Sequence, residues 1–240
     1  MAQILAANGS AVFTNGCVIN SRRFGVVMFT YPRAGQLRID HETVFNTAST
    51  AIQIKGTGAT VVLDESTLNP GNGILVQAMI DDNDRQPGRP KPGEPPREFA
   101  ADPDVRISFS NTKLTGDVIN SRTQQGNLIL DVEGVTLTGR VSSAVQSPAE
   151  GVPPTEERLR LIGEVTNSFG PGPGPFGTTF QIDEVSRWIV TGPSYLTGLI
   201  LLPGARILNE AGEPATVTVD GKPVPANKPG SYLGAIVVTP

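Results

Sequence analysis

Apolar and polar residues alternate in short stretches along most of this chain, and the stretches end at Gly, Asn, Asp or Ser. Across residues 105–109, Val105, Ile107 and Phe109 fall at every second position, which places them on one face of a strand. The same alternation predicts further strands. The full set is 11–13, 26–29, 36–39, 51–54, 60–63, 74–78, 105–109, 117–120, 127–130 and 140–143.

A short motif recurs between these strands, and its repeat length predicts the architecture. The residues taken as equivalent are Val18, Val44, Leu68, Leu114 and Leu137. They are separated by about 26, 24, 46 and 23 residues, so the third step is two periods, or one period that carries an insertion. A period in the low twenties built from short strands is typical of a β-solenoid, in which each repeat is one coil.

Parallel stacking of such coils would align their inward apolar residues. We expect one ladder to contain Ile39, Leu63, Ile107 and Leu130. The chain is 38% hydrophobic, which allows a sizeable core, while its 27 Gly and 21 Pro argue for many turns and against long helices. Because the repeat runs through most of the sequence, residues 1–240 are predicted to form one all-β domain, with coils over 10–207 and a C-terminal β-rich cap over 208–240.

Charge and hydropathy narrow the range of partners. A net charge of -4 with only 19 Lys and Arg gives no reason to expect nucleic acid, which needs a clustered basic surface. The densest apolar run, residues 199–202, stops at Pro203 and is too short to span a bilayer. Cys17 is the single cysteine, which excludes an internal disulfide, and we expect an inert buried thiol. The N-terminus lacks a secretory signal, which suits either a cytosolic start or a piece cut from a longer secreted protein.

Three proline-rich segments, 81–104, 147–157 and 169–177, interrupt the repeat. The first two follow the same strand of their respective coils, so we expect them to emerge on one side and form a partner-binding surface. The alternative is that they are tolerated surface insertions without a shared role. The candidate interaction residues in these loops are Arg85, Arg89, Lys91, Arg97, Phe169 and Phe176.

Asp81, Asp82 and Asp84 form the densest acidic cluster and are a candidate calcium site, since oxygen ligands at that density suit this cation. The spacing is not that of an EF-hand loop, and consecutive residues of an extended loop point in opposite directions. A solvated acidic loop is therefore the alternative interpretation. No other cofactor is predicted.

Enzyme chemistry has little support in the sequence. The single His41 lies in a turn with acidic neighbours that would raise its pKa, and no nucleophile-elbow pattern accompanies it. Other candidate carboxylates are Asp131, Glu133, Asp183 and Glu184, with Asp64 and Glu65 at a matching corner. A stack of Asp64 on Asp131 would give a weak lyase-like groove, but acidic residues are ordinary at turns. No catalytic residue is assigned.

The coil pattern resembles the right-handed parallel β-helix of the pectin-lyase-like superfold, which hosts polysaccharide lyases and hydrolases, phage tailspikes and bacterial surface adhesins. Residues 186–197 read Ser-Arg-Trp-Ile-Val-Thr-Gly-Pro-Ser-Tyr-Leu-Thr. This segment is similar to the final coils of secreted bacterial adhesin-like β-helical proteins, which are followed by a last coil and a short strand pair. The resemblance implies that residues 215–224 form this pair. Trp188 and Tyr195 are expected to close the core, since aromatic residues are only 5% of the chain.

The resemblance specifies a fold more than an activity. It implies an extracellular, non-catalytic interaction or scaffold module of a bacterial surface protein, secreted or held at the cell surface, with a glycan or protein as its ligand. The alternative is a polysaccharide lyase or glycoside hydrolase that uses carboxylates on one face of the coil. Open coil ends are strand templates, so self-association through them is a further expectation.

Overall fold

The computed structural model describes residues 3–5, 9–30, 34–82, 104–152, 154 and 156–240. These residues form an all-β fold with one short 3-10 helix at Glu156–Leu161. The first strands are β1 (Gln3–Leu5), β2 (Ser10–Phe13), β3 (Val18–Ser21), β4 (Val26–Thr30), β5 (Gly35–Ile39), β6 (Val44–Thr47), β7 (Ile52–Gly56), β8 (Ala59–Asp64), β9 (Thr67–Pro70), β10 (Ile74–Met79), β11 (Val105–Ser110) and β12 (Lys113–Thr115). They continue with β13 (Asp117–Asn120), β14 (Leu128–Glu133), β15 (Thr136–Thr138), β16 (Val141–Pro148), β17 (Val165–Phe169), β18 (Thr178–Ile182), β19 (Arg187–Ile189), β20 (Ser194–Leu201), β21 (Arg206–Leu208), β22 (Thr216–Val219), β23 (Lys222–Val224) and β24 (Gly230–Thr239).

Successive strands visit the sheets in a fixed order. In each three-strand unit the first strand joins a ten-stranded sheet, the second a three- or four-stranded sheet, and the third a seven-stranded sheet. The units that follow this order begin at β2, β5, β8, β11 and β14. Equivalent strands of neighbouring units pair in parallel, as β5, β8 and β11 do in the ten-stranded sheet. The described sheets are therefore mostly parallel, with antiparallel pairs at β17 and in the C-terminal part.

The strands predicted from alternation are confirmed, with ends that differ by a few residues. The largest difference is β16, which continues to Pro148 because it pairs with the returning strand β17. The recurring motif itself forms strands β3, β6, β9, β12 and β15. Since β8 pairs directly with β11, the long third step of the repeat is one period that carries an insertion.

Two predicted registers are wrong. Leu68 lies opposite Phe45 and not opposite Val44, whose partner is Thr67. The predicted ladder mixed two adjacent ladders, because Leu63 pairs with Phe109, two residues beyond Ile107. The two buried ladders are Leu37, Val61, Ile107, Leu130 and Phe180, and Ile39, Leu63, Phe109, Val132 and Ile182. The error in the ladder is a shift of two residues, which keeps every side chain on its predicted face, so the pattern alone could not detect it. The error at Leu68 is a shift of one residue.

The C-terminal part closes one edge of the ten-stranded sheet. Strand β24 pairs antiparallel with β20 and with β22, and the predicted hairpin of β22 and β23 is confirmed. Trp188 is fully buried, donates its indole N–H to the Gly139 carbonyl at 2.8 Å and packs edge-on against Phe180, as expected of a core residue. Tyr195 is only half-buried and alternates with the buried Ser194, so its assignment to the core was wrong.

None of the helices in the described part of the chain has the length and apolar character needed to cross a bilayer.

Candidate functional site

A column of turns runs along the edge where strands leave the ten-stranded sheet. Its members are residues 40–43, 64–66, 110–112, 133–135 and 183–186, and we call this set the acidic turn column. Backbone hydrogen bonds join successive members, including Glu42 N–H to the Glu65 carbonyl at 2.8 Å and Asn111 N–H to the Glu133 carbonyl at 2.9 Å. The turns therefore stack with the same regularity as the strands.

The turn column contains left-handed backbone in each of its first four members. Asn111 and Gly134 adopt φ values of 52° and 65°, which suit these residue types. Glu42 and Glu65 adopt φ values of 61° and 46°, although glutamate gains nothing from this conformation. Acidic side chains thus occupy two turns whose backbone would favour Asn or Gly, and non-Gly left-handed residues are a recognised mark of functional sites.

Two shallow pockets flank the acidic turn column. The turn pocket has a volume of about 600 Å³ and is lined by Glu42, Glu65, Ser66, Thr67, Asn111, Thr112, Lys113, Gly134 and Thr136. The sheet pocket has a volume of about 470 Å³ and is lined by Ser108, Phe109, Ser110, Asp131, Val132, Glu133, Gln181, Asp183, Glu184 and Leu202. Hydroxyl, amide and carboxylate groups dominate the lining of the turn pocket, which is the chemistry that recognises a polyhydroxylated ligand. The sheet pocket combines such groups with the apolar side chains of Phe109, Val132 and Leu202.

The carboxylates of this region differ in their surroundings. Hydrogen bonds from Ser110 Oγ at 2.6 Å and Asn111 Nδ2 at 2.9 Å lower the pKa of Asp64 and tie it to the next turn. Burial raises the pKa of Asp131, although Arg106 opposes the shift. Among the described residues, Asp131 and Glu133 make no side-chain hydrogen bond, and both point outward from β14 into the sheet pocket.

The predicted stack of Asp64 on Asp131 is wrong. Asp64 lies opposite Ser110, which lies opposite Glu133, whereas Asp131 lies opposite Ser108. The two carboxylates therefore belong to neighbouring columns of the sheet, two residues apart along the strand. The structure instead brings Asp131 together with Glu133, Asp183 and Glu184.

His41 lies in the same turn column, and its prediction of a raised pKa is confirmed. Its Nδ1 is 2.9 Å from Asp40 Oδ1, and this carboxylate raises the pKa of the imidazole. Thr14 Oγ1 approaches the same nitrogen at 3.4 Å. A Ser-His-Asp arrangement needs the acid and the nucleophile on opposite ring nitrogens. Asp40 and Thr14 share one nitrogen, so this group does not have the geometry of a triad.

The two predicted insertions do leave from the same sheet, since Ala78 pairs with Asn120 and Asn120 pairs with Ser143. The segment after the second insertion, residues 162–169, then folds back over the outer face of the seven-stranded sheet. Asn167 exchanges two side-chain hydrogen bonds with Gln77, and Arg23 pairs with Glu164 at 3.1 Å. This segment thus covers one face of the protein and leaves the acidic turn column open.

Asp82 of the candidate calcium site is held by the protein itself. Its Oδ1 lies 2.5 Å from Lys55 Nζ, and its Oδ2 accepts the Gly163 N–H at 2.7 Å. Asp81 also interacts within the chain, and Asp84 lies outside the described residues. Within the described ranges, no group of three or more His, Cys, Asp or Glu side chains is placed to hold a metal ion.

The remaining predicted interaction residues fall into two groups. Arg85, Arg89, Lys91 and Arg97 lie outside the described residues. Phe169 is half-buried with the Arg140 guanidinium 3.7 Å above its ring, and Phe176 is half-buried with its N–H bonded to the Thr123 carbonyl at 3.1 Å. The Phe169 ring therefore has a partner within the fold, and Phe176 is held through its backbone. Cys17 is a free, half-buried thiol and not fully buried as predicted.

Sequence reasoning missed Glu42 and Lys113 as pocket residues. A partial signal was present, because Asp40, Asp64, Glu133 and Asp183 stand at the end of β5, β8, β14 and β18 or one residue beyond it. Finding it required the correct register, which the sequence-based alignment did not have. Comparison of the chain with protein-family models, with curated proteins and with solved structures gives no match, so its function must be inferred from this geometry.

Proposed function

We propose that the successive three-strand units form a right-handed parallel β-helix like that of the pectin-lyase-like superfold. We further propose that this β-helix serves as a non-catalytic interaction or scaffold module. Two facts support the fold assignment: equivalent strands recur once per unit, and neighbouring units pair in parallel. In the proposal the module acts outside the cell, secreted or at a bacterial surface.

The observation that carries the binding role is the pair of open pockets beside the acidic turn column, of which the turn pocket is the more polar. Together they give an open, regular surface rich in hydroxyl, amide and carboxylate groups. A glycan presents hydroxyl groups at regular spacing, so it can satisfy such a surface by hydrogen bonds. Four carboxylates in the sheet pocket and two in the turn pocket disfavour an acidic ligand, because like charges repel. The proposed ligand is therefore a neutral or amino-bearing surface glycan.

A second candidate function is glycoside hydrolysis in the sheet pocket. This chemistry needs one protonated and one ionised carboxyl group across a sugar. Burial raises the pKa of Asp131, which favours its protonated form, while Glu133 projects from the same strand into the same pocket. Asp131 would then be the acid and Glu133 the nucleophile or base.

The test is a binding and turnover assay on neutral, amino-bearing and acidic polysaccharides, with and without calcium. We expect binding to a neutral or amino-bearing glycan without new reducing or unsaturated ends. The joint substitution of Glu42→Gln and Glu65→Gln should weaken binding at least tenfold for an amino-bearing glycan, because it removes two charges from the turn pocket. Glu210→Gln is the matched control, since Glu210 is exposed and lines neither pocket.

Three outcomes would count against the leading proposal, and a fourth would revise the assignment of the acidic loop. Failure to bind any glycan, or equal binding by the double variant and the wild type, contradicts the glycan site. Turnover that Asp131→Asn abolishes replaces the binding role with the enzyme. Glycan binding that needs calcium and is abolished by Asp81→Ala would restore the acidic loop as a metal site.

A further inference from the structure

Lys55 is a buried cation on the outer side of the seven-stranded sheet. It belongs to β7, and its side chain has no exposed surface. Its Nζ lies 2.5 Å from Asp82 Oδ1 and 5.6 Å from the centre of the Phe29 ring. Burial excludes water from this pair and holds the Lys55 nitrogen against the Asp82 carboxyl group, which is the positioning that an attack on its carbon needs.

Asp82 is oriented by a second contact on its other oxygen. The Gly163 N–H donates to Oδ2 at 2.7 Å, so Oδ1 faces the amine while Oδ2 faces a fixed backbone donor. The position of Gly163 is itself constrained, because its carbonyl accepts from Gln53 Nε2 at 2.8 Å. A backbone N–H on one oxygen is the arrangement that stabilises negative charge when a carbonyl carbon is attacked.

We propose that Lys55 and Asp82 form an intramolecular amide crosslink, a covalent site separate from the pockets of the acidic turn column. A proton passes from the ammonium group to Oδ1, and the neutral amine attacks Cγ of Asp82. A second amine proton moves to the same oxygen, which leaves as water, and Oδ2 becomes the amide carbonyl. The products are one amide and one water, so the step needs no further reactant.

Burial supplies a physical reason for the reaction to be favourable. An ion pair taken out of water retains a large desolvation penalty, and Lys55 is fully buried while the Asp82 side chain is 12% exposed. The amide is neutral, so condensation removes this penalty and keeps the Gly163 hydrogen bond. The crosslink would join the sheet to the start of the first insertion and constrain the unfolded chain as a disulfide does.

The experiment is the intact mass of the purified full chain, measured under denaturing conditions directly after purification and after prolonged incubation at neutral pH. We expect the mass to be lower than the sequence mass by one water. Proteolysis should then release a branched peptide that joins the segments containing Lys55 and Asp82. The full sequence mass in a protein shown to be folded by circular dichroism overturns the proposal.

A control variant separates the crosslink from other losses of water. Asp82 can also lose water by closing on its own backbone, which does not involve Lys55. Lys55→Gln removes the amine and is expected to restore the full mass, and this readout does not depend on whether the variant folds. A loss of water that persists in Lys55→Gln, or that maps to a linear peptide, contradicts the crosslink.

Discussion

At the residue scale, the chemistry of this protein depends on how single polar side chains are partnered. Asp64 and Asp131 have the same side chain and lie on the same sheet, yet their pKa values shift in opposite directions. Asp64 accepts two hydrogen bonds from the neighbouring turn, whereas Asp131 is partly buried beside hydroxyl and carboxyl groups. The two hydrogen bonds give Asp64 a structural role, whereas Asp131, which has none among the described residues, is available to a ligand.

The His41 imidazole should titrate above its ordinary range, because the Asp40 carboxylate favours the protonated ring. We expect Asp40→Asn to lower the pKa of His41 in an NMR titration. Glu65→Gln should lower it less, since Glu65 contributes only a weaker charge interaction. Equal shifts in the two variants would mean that the Asp40 contact does not control this histidine.

The same pair gives a signed pH dependence. The raised pKa of His41 contributes stability that is present below the ordinary imidazole pKa and is lost as pH rises through the raised value. The lowered pKa of Asp40 contributes stability that is present above its ordinary value and is lost only in strong acid. Urea unfolding across pH should show both losses in the free energy of unfolding of the wild type. In Asp40→Asn both losses should be smaller, because the ion pair is absent.

At the scale of elements, close backbone contacts between stacked turns set the register of the units. A Cβ atom on Gly139, whose φ is 149°, would lie 2.0 Å from the Gly116 carbonyl oxygen of the preceding unit. Gly16 also has a positive φ, 69°, but a Cβ atom added there would have no atom of the described residues within 4 Å. The two glycines thus share a left-handed backbone and differ in the contact between turns.

This difference predicts two unequal substitutions. Gly139→Ala should lower the free energy of unfolding by about 2 to 5 kcal/mol, because strain and overlap act together. Gly16→Ala should cost about 1 kcal/mol from backbone strain alone. Urea denaturation followed by circular dichroism measures both values. Similar losses in the two variants would show that turn stacking adds nothing to the intrinsic backbone cost.

At the scale of the whole molecule, the units differ in how many neighbours they have. Strand β8 pairs with β5 on one side and β11 on the other, whereas β2 and β3 each have one paired neighbour in the described part of the sheets. The C-terminal edge is closed by β24 and its hairpin. Val12 and Val18 of the first unit are exposed. If the protein self-associates through the end that contains the first unit, β2 and β3 offer open strand edges there.

Amide hydrogen exchange should be slower in strands with two paired neighbours than in strands with one. We expect the slowest amide exchange in β8, β11 and β14 and the fastest in β2 and β3, because local opening is easier at an edge with one paired neighbour. Exchange measured by mass spectrometry at two protein concentrations tests the gradation of stability and the self-association together. Protection of β2 and β3 that rises with concentration indicates self-association, while uniform exchange along the chain contradicts a graded stability.

The sequence by itself determined the strands of the repeat and the all-β class, because alternation with period two and turn residues are local signals. The C-terminal hairpin was expected only from the resemblance of residues 186–197 to the final coils of β-helical proteins. It also located His41 and the acidic residues of the turns. Only the tertiary structure decided which of them meet. A register error of two residues leaves every side chain on the same face, so the sequence pattern could not separate the Asp64 column from the Asp131 column. The contact of Lys55 with Asp82 was beyond the sequence for a different reason, because it depends on how the chain outside the strands folds back over the sheet.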